Sequence, residues 1–153
     1  MDDGIIIKKE FMRHAIKEAE LAFRSGEVPV GAVVVCGSEI VARAHNLVEA
    51  SKDASAHAEL LALRSAAVRM KKRRLTDCVL YVTLEPCPMC MGALLNFRIG
   101  AVCFGAYDPE AGCAISRCEL GRIANADIPC VGGIMENECA ALLAGFFDRL
   151  RRG

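Results

Sequence analysis

The chain has 153 residues, 54% of them hydrophobic and 25% charged, with a mean hydropathy of +0.31. That excludes a disordered chain and is enough to build one core without disulfide staples, so a single domain over residues 1–153 is expected. Nineteen basic residues balance nineteen acidic ones, so whole-chain charge announces no nucleic-acid partner. Met1-Asp2-Asp3-Gly4 carries no basic leader, and no stretch reaches the ~18 uninterrupted apolar residues of a membrane span. A cytoplasmic protein without a membrane partner is expected.

From Phe11 to Arg24, Met12, Ala15, Ile16, Ala19, Ala22 and Phe23 recur at helical spacing, and Ser25-Gly26 ends the helix. Val30 to Cys36 is a short valine-rich run that reads as a buried strand. Gly37-Ser38 turns it toward a partner strand from Ile40 to Ala44. Ser55 reads as the N-cap of a helix from Ala56 to Arg69. Cys78 to Leu84 is a further strand, Met89 to Phe97 a short helix, and Ala101 to Phe104 another buried strand. Asp108 to Asp127 has weak patterning and reads as loop with some helix. Met135 to Arg151 is amphipathic, with Cys139, Leu142, Leu143, Phe146 and Leu150 on one face. Strands alternating with helices predict an α/β domain with helices on both faces of a mixed sheet.

The chemistry is carried by His57-Ala58-Glu59 and Pro86-Cys87-Pro88-Met89-Cys90. Two cysteines separated by two residues can hold one metal, and a distant histidine can supply a third donor. Zinc favours sulfur and nitrogen, and three protein ligands leave its fourth position to water. A carboxylate at Glu59, beside such a water, can take its proton and hand it on. His-x-Glu followed by Pro-Cys-x-x-Cys about thirty residues later is the signature of zinc nucleobase deaminases.

These residues, with Glu27-Val28-Pro29-Val30-Gly31-Ala32-Val33, Leu80-Tyr81-Val82-Thr83-Leu84-Glu85-Pro86-Cys87, Arg98-Ile99-Gly100, Phe104-Gly105-Ala106 and Glu138-Cys139-Ala140-Ala141-Leu142-Leu143, make the chain resemble the bacterial tRNA-specific adenosine deaminases over nearly its whole length. The resemblance implies a cytidine-deaminase-like α/β/α fold around a five-stranded mixed sheet, a homodimer, and one Zn2+ per subunit. It implies conversion of adenosine to inosine at the wobble position of a tRNA anticodon stem-loop. The family's ligands fall on His57, Cys87 and Cys90, its proton shuttle on Glu59, and its substrate contacts on Asn46, the Ala58 amide and Asp108.

The chain departs from that pattern at several positions. Asp53-Ala54-Ser55 replaces the usual Asp-Pro-Thr, and Pro88-Met89 between the cysteines is similar to guanine deaminases. Tyr107 stands where a basic residue is frequent, and Asn125-Ala126-Asp127 replaces an Asn-His element. A deaminase of a free base or nucleoside, of guanine or cytosine type, is therefore the alternative; a zinc protein without activity is disfavoured by Glu59. Lys71-Lys72-Arg73-Arg74 and the tail residues Arg149, Arg151 and Arg152 are candidate phosphate contacts, set against a plain solvated helix end. Phe147 is a candidate base-stacking residue and Phe146 a core one. Cys113, Cys118 and Cys130 match no metal spacing and read as free thiols.

Overall fold

In a computed structural model, residues 6–153 are described. The opening Met1-Asp2-Asp3-Gly4, read for the absence of a basic leader, lies outside them. The elements are α1 (Lys9–Arg24), β1 (Gly31–Cys36), β2 (Glu39–His45), α2 (Val48–Ser51), α3 (Ala58–Met70), β3 (Cys78–Leu84), α4 (Pro88–Asn96), β4 (Ala101–Ala106), α5 (Leu120–Ile123), β5 (Cys130–Val131) and α6 (Glu136–Arg152). Among the described residues no helix is long and apolar enough to cross a membrane.

The strands form one five-stranded sheet in the order β2-β1-β3-β4-β5. β1 is antiparallel to both β2 and β3, while β4 is parallel to β3 and β5 to β4. Reversing direction twice makes β2 run the same way as β3, β4 and β5. The ends of β2, β3 and β4 therefore lie at one edge of the sheet, where open α/β sheets gather their ligands.

Alternation along the strands divides the core into two layers. Ala32, Val34, Leu80, Val82, Val102 and Phe104 pack with α3 and α4 residues such as Ala62, Leu63, Met91 and Leu94. Val33, Val35, Tyr81 and Cys103 face the other way, onto Phe11, Met12 and Ala15 of α1 and Cys139 of α6. Burial on both faces is why β1, β3 and β4 read as continuous apolar runs rather than alternating ones.

Three local expectations are corrected. Ser55 does not cap α3: its hydroxyl and amide both bond the Asp53 carboxylate, at 2.7 and 2.9 Å, and His57 is the cap residue. β5 follows the weakly patterned segment and is only two residues long, too short for its periodicity to register. Cys113 and Cys118 are a disulfide rather than free thiols, because residues 112–118 turn back on themselves and bring the two Cα atoms to 4.6 Å.

α1 lies directly on β1 at Gly31, where a Cβ would run into the Ala15 carbonyl and lie 2.5 Å from the Ala19 nitrogen. Only glycine permits that approach. Gly31→Ala is expected to lower stability by about 1–3 kcal/mol by overpacking; urea unfolding with an unshifted midpoint would contradict the contact.

Candidate active site

Two helix starts meet at the shared edge of the sheet. His57 is the N-cap residue of α3 and Cys87 that of α4, and neither side chain caps its own helix. Cys90 lies one turn into α4. His57 Nδ1 is 3.6 Å from Cys87 Sγ and 3.5 Å from Cys90 Sγ, and all three donor atoms fall within 4.8 Å of one another. Zinc–sulfur bonds of ~2.3 Å and a zinc–nitrogen bond of ~2.05 Å at a tetrahedral angle require an S···N separation of about 3.6 Å. The donor set and its spacing thus both fit zinc.

The electrostatics agree. A hydrogen bond from Cys90 pulls the Cys87 thiol down to about 4 against the opposing effect of burial, with His57 assisting. The same hydrogen bond and burial push Cys90 upward, so of the two sulfurs Cys87 is favoured as the thiolate. Contact with Cys87 raises His57. Cys78, Cys103 and Cys139 are pushed up to about 12, chiefly by burial, and are inert.

A cavity of about 710 Å³ opens onto His57 and Cys87. Glu59, Asn46, Asp108 and Phe147 line it together with His57 and Cys87. Glu59 is 4% exposed, and burial drives its carboxyl up to about 7, where it exchanges a proton readily near neutral pH. Asn46 follows β2 and accepts a 2.8 Å hydrogen bond from the Ala58 amide. A buried N–H in the first turn of a helix needs an acceptor, and Asn46 supplies it, so the two residues expected to contact the base are joined to each other. The same bond leaves the Asn46 NH2 as the available donor.

Asp108 follows β4 and lines the cavity, while its Oδ1 accepts from the Glu110 and Ala111 amides at 3.1 Å each. Phe147 sits at the rim, 46% exposed, in edge contact with the buried Phe146. Arg149 lies over the Phe23 ring, and Arg151 and Arg152 both pair with Asp148. Lys71 to Arg74 are not brought to the site. They follow the C-terminus of α3, about 20 Å of helix away from His57.

Two carboxylates of the site region were not singled out from the sequence. Glu27 lines the cavity and Glu85 lies just behind it; both are buried. In the resemblance they appear only as members of longer motifs. The one local sign is a charged residue set beside a buried strand. Two departures also find physical reasons. Pro88 occupies the first turn of α4, where its missing N–H costs nothing. Tyr107 packs edge-on against Phe104 at 5.0 Å.

Removal of zinc should open Cys87 and leave the deeply buried core thiols shut. With chelator, iodoacetamide is expected to label the half-buried Cys87, while Cys78, Cys103 and Cys139 stay unmodified. Peptide mass mapping with equal Cys87 labelling in the zinc-loaded and zinc-free protein would remove Cys87 from the ligand set.

The cytidine and deoxycytidylate deaminase zinc-binding region matches residues 6–106 of the chain. A tRNA-specific adenosine deaminase of Bacillus subtilis (strain 168) is 46% identical over 144 residues, covering 93% of this chain and 89% of that protein. A solved structure from work on A-to-I editing by tRNA:A34 deaminases superposes with a TM-score of 0.86 at 36% identity, covering 89% of this chain and 100% of that one. A solved guanine deaminase of Bacillus subtilis gives a TM-score of 0.61 at 34% identity, covering 80% of this chain and 73% of that one. The zinc-fitting triad, the sheet order and the near full-length likeness agree: the chain belongs to the cytidine and deoxycytidylate deaminase zinc-binding family, in its tRNA-specific adenosine deaminase branch.

Proposed function

We propose that this chain hydrolyses the exocyclic amine of adenosine at the wobble position of a tRNA anticodon, giving inosine and ammonia. The observation that carries the reading is the buried Glu59 in one cavity with His57 and Cys87, which cluster with Cys90 as a metal-fitting triad. The 46% identity to a tRNA-specific adenosine deaminase supports the substrate. We further propose one zinc per chain, a homodimer, and a cytoplasmic setting; the likeness to that bacterial enzyme over 89% of its length supports them.

Zinc held by His57 Nδ1 and the sulfurs of Cys87 and Cys90 would supply the polarisation that brings water's pKa toward ~7. Glu59 takes a proton from water and returns it to the exocyclic nitrogen, so that the nitrogen leaves as ammonia while the water oxygen stays on the base. A carboxyl that titrates near neutrality can do both. Asn46, its oxygen tied to Ala58, turns its NH2 toward an acceptor nitrogen of the purine. The cavity closes around a base, which must therefore leave its stack to enter.

The rim favours RNA over a free base. Phe147 and Leu150 lie beyond the donor triad on α6. An exposed phenyl ring there has no work to do on a small base enclosed below it, whereas it can stack on a flanking nucleotide. Arg149, Arg151 and Arg152 lie on the same helix and are placed to meet phosphates. Asp108, on the opposite wall, faces the strand that enters.

Glu59→Ala should retain zinc and fold but lose roughly 10²- to 10⁴-fold in turnover. The assay is inosine formation in an arginine-tRNA anticodon stem-loop, with free guanine, cytosine and adenosine run in parallel. Near-normal activity of the variant would end the proton-shuttle role. Ammonia from a free base with the stem-loop unchanged would move the chain to small-molecule deamination.

A further inference from the structure

Three carboxylates are deeply buried: Glu59, Glu27 and Glu85, at 4%, 1% and 2% exposure. Glu59 belongs to the chemistry. The other two have no cationic partner among the described residues, a costly state for a charged group. Both are held by main-chain amides instead. Glu27 Oε1 accepts from the Glu49 amide at 2.9 Å and Oε2 from the Ala50 amide at 2.8 Å. Glu85 Oε1 accepts from the Asp108 amide at 3.1 Å, and Oε2 from the Ile115 and Ser116 amides at 2.7 Å each. The Ser116 hydroxyl also donates to Oε1.

The location of those amides is the informative part. Each glutamate stands on rigid scaffold, Glu27 between α1 and β1 and Glu85 immediately after β3. Each reaches sideways to a loop. Glu27 holds the start of α2, in the connection between Asn46 and His57; Val48, Glu49 and Ala54 of that connection line the cavity. Glu85 holds both ends of the 108–116 loop, which supplies Asp108 and Ala111 to the opposite wall. A second feature fits: a Cβ on Gly112 would strike the Glu85 carboxyl, so the loop folds down on Glu85 only because residue 112 is glycine. An apolar residue would fill either position at lower desolvation cost, but it would hold neither loop.

The geometry points to Glu27 and Glu85 as paired positioning residues that set the spacing of the two loops walling the substrate cavity. This rests on the RNA deaminase reading for its substrate, though not for its structural half. Neither carboxylate touches the reacting atoms. Their loss should therefore weaken capture and orientation of the base while leaving zinc and the Glu59 proton transfer in place.

The test uses Glu27→Gln and Glu85→Gln in the full zinc-loaded chain, since glutamine keeps the volume but turns an N–H donor toward an amide. KM for the anticodon stem-loop is expected to rise roughly tenfold or more, with kcat changed less and zinc content unchanged. Hydrogen exchange without substrate should lose protection at Glu49 and Ala50 in the first variant, and at Asp108, Ile115 and Ser116 in the second. Ser116→Ala and Gly112→Ala disturb the Glu85 anchor without altering the carboxylate and should move the same amides should Glu85→Gln fail to fold. Unchanged exchange at those amides overturns the proposal, as does zinc loss with kcat and KM degraded alike. A wild-type chain inactive on the stem-loop, with the amide pattern as expected, would count against the substrate and not against the anchors.

Discussion

The site depends on one constraint: two helices begin at the same edge of the sheet with their cap side chains turned toward each other. An N-cap residue ordinarily folds its oxygen back onto a free amide of the first turn. His57 and Cys87 do not; their side chains lie 3.6 Å apart, free to act as metal donors. The orphan amides are handled by other means. In α3 the Ala58 N–H goes to Asn46, and in α4 Pro88 removes a donor altogether. Both helix starts also carry partial positive charge, which favours the thiolate that a metal needs. Releasing the cap side chains for metal binding therefore leaves no unsatisfied buried side chain behind among the described residues.

Sheet topology turns this pair into a complete site. The β1–β2 hairpin reverses direction before β3, so β2, β3 and β4 all end on one edge. Each delivers a chemistry-bearing residue within one to three positions of its end: Asn46 after β2, Cys87 after β3 and Asp108 after β4. α3 then adds His57 and Glu59 across them. A one-residue slip in β3 would move Cys87 to the other face of the sheet. The apolar demand on both faces of CVLYVTL prevents that slip, so the core that stabilises the protein also sets the metal geometry.

How much of this was legible in the sequence followed from physics. β3 was readable to the residue because an unbroken apolar run between polar flanks has only one place to start and stop. The ligand triad was readable because metal donors are few in kind and their spacing is chemically restricted. The start of α3 was misread because a serine hydroxyl suits a cap and an Asp-x-Ser turn equally well, and only the fold decides which amide it meets. The Cys113–Cys118 pair was missed because nothing local says that the loop folds back on itself. Glu27 and Glu85 were the least legible. Their partners are backbone amides 22 to 31 residues away, and a backbone amide looks the same in every residue.

The charge balance of the chain also acquires a meaning from the cavity. Among the described residues, the lining includes Glu27, Glu49, Glu59 and Asp108 but no lysine or arginine. Glu27 and Asp108 are held by amides, and no lysine or arginine of the lining offers phosphate a cationic partner. The basic residues of α6 lie beyond it, in the helix's last turn. Under the RNA reading these two fields divide the substrate: the sugar-phosphate chain is drawn across the end of α6, and only the neutral base passes the carboxylates. Net charge alone hides this, because nineteen of each sign cancel in the sum whatever their local arrangement. On that same reading, an overall neutral protein holds a polyanion on one surface while keeping its phosphates out of the pocket that takes the base.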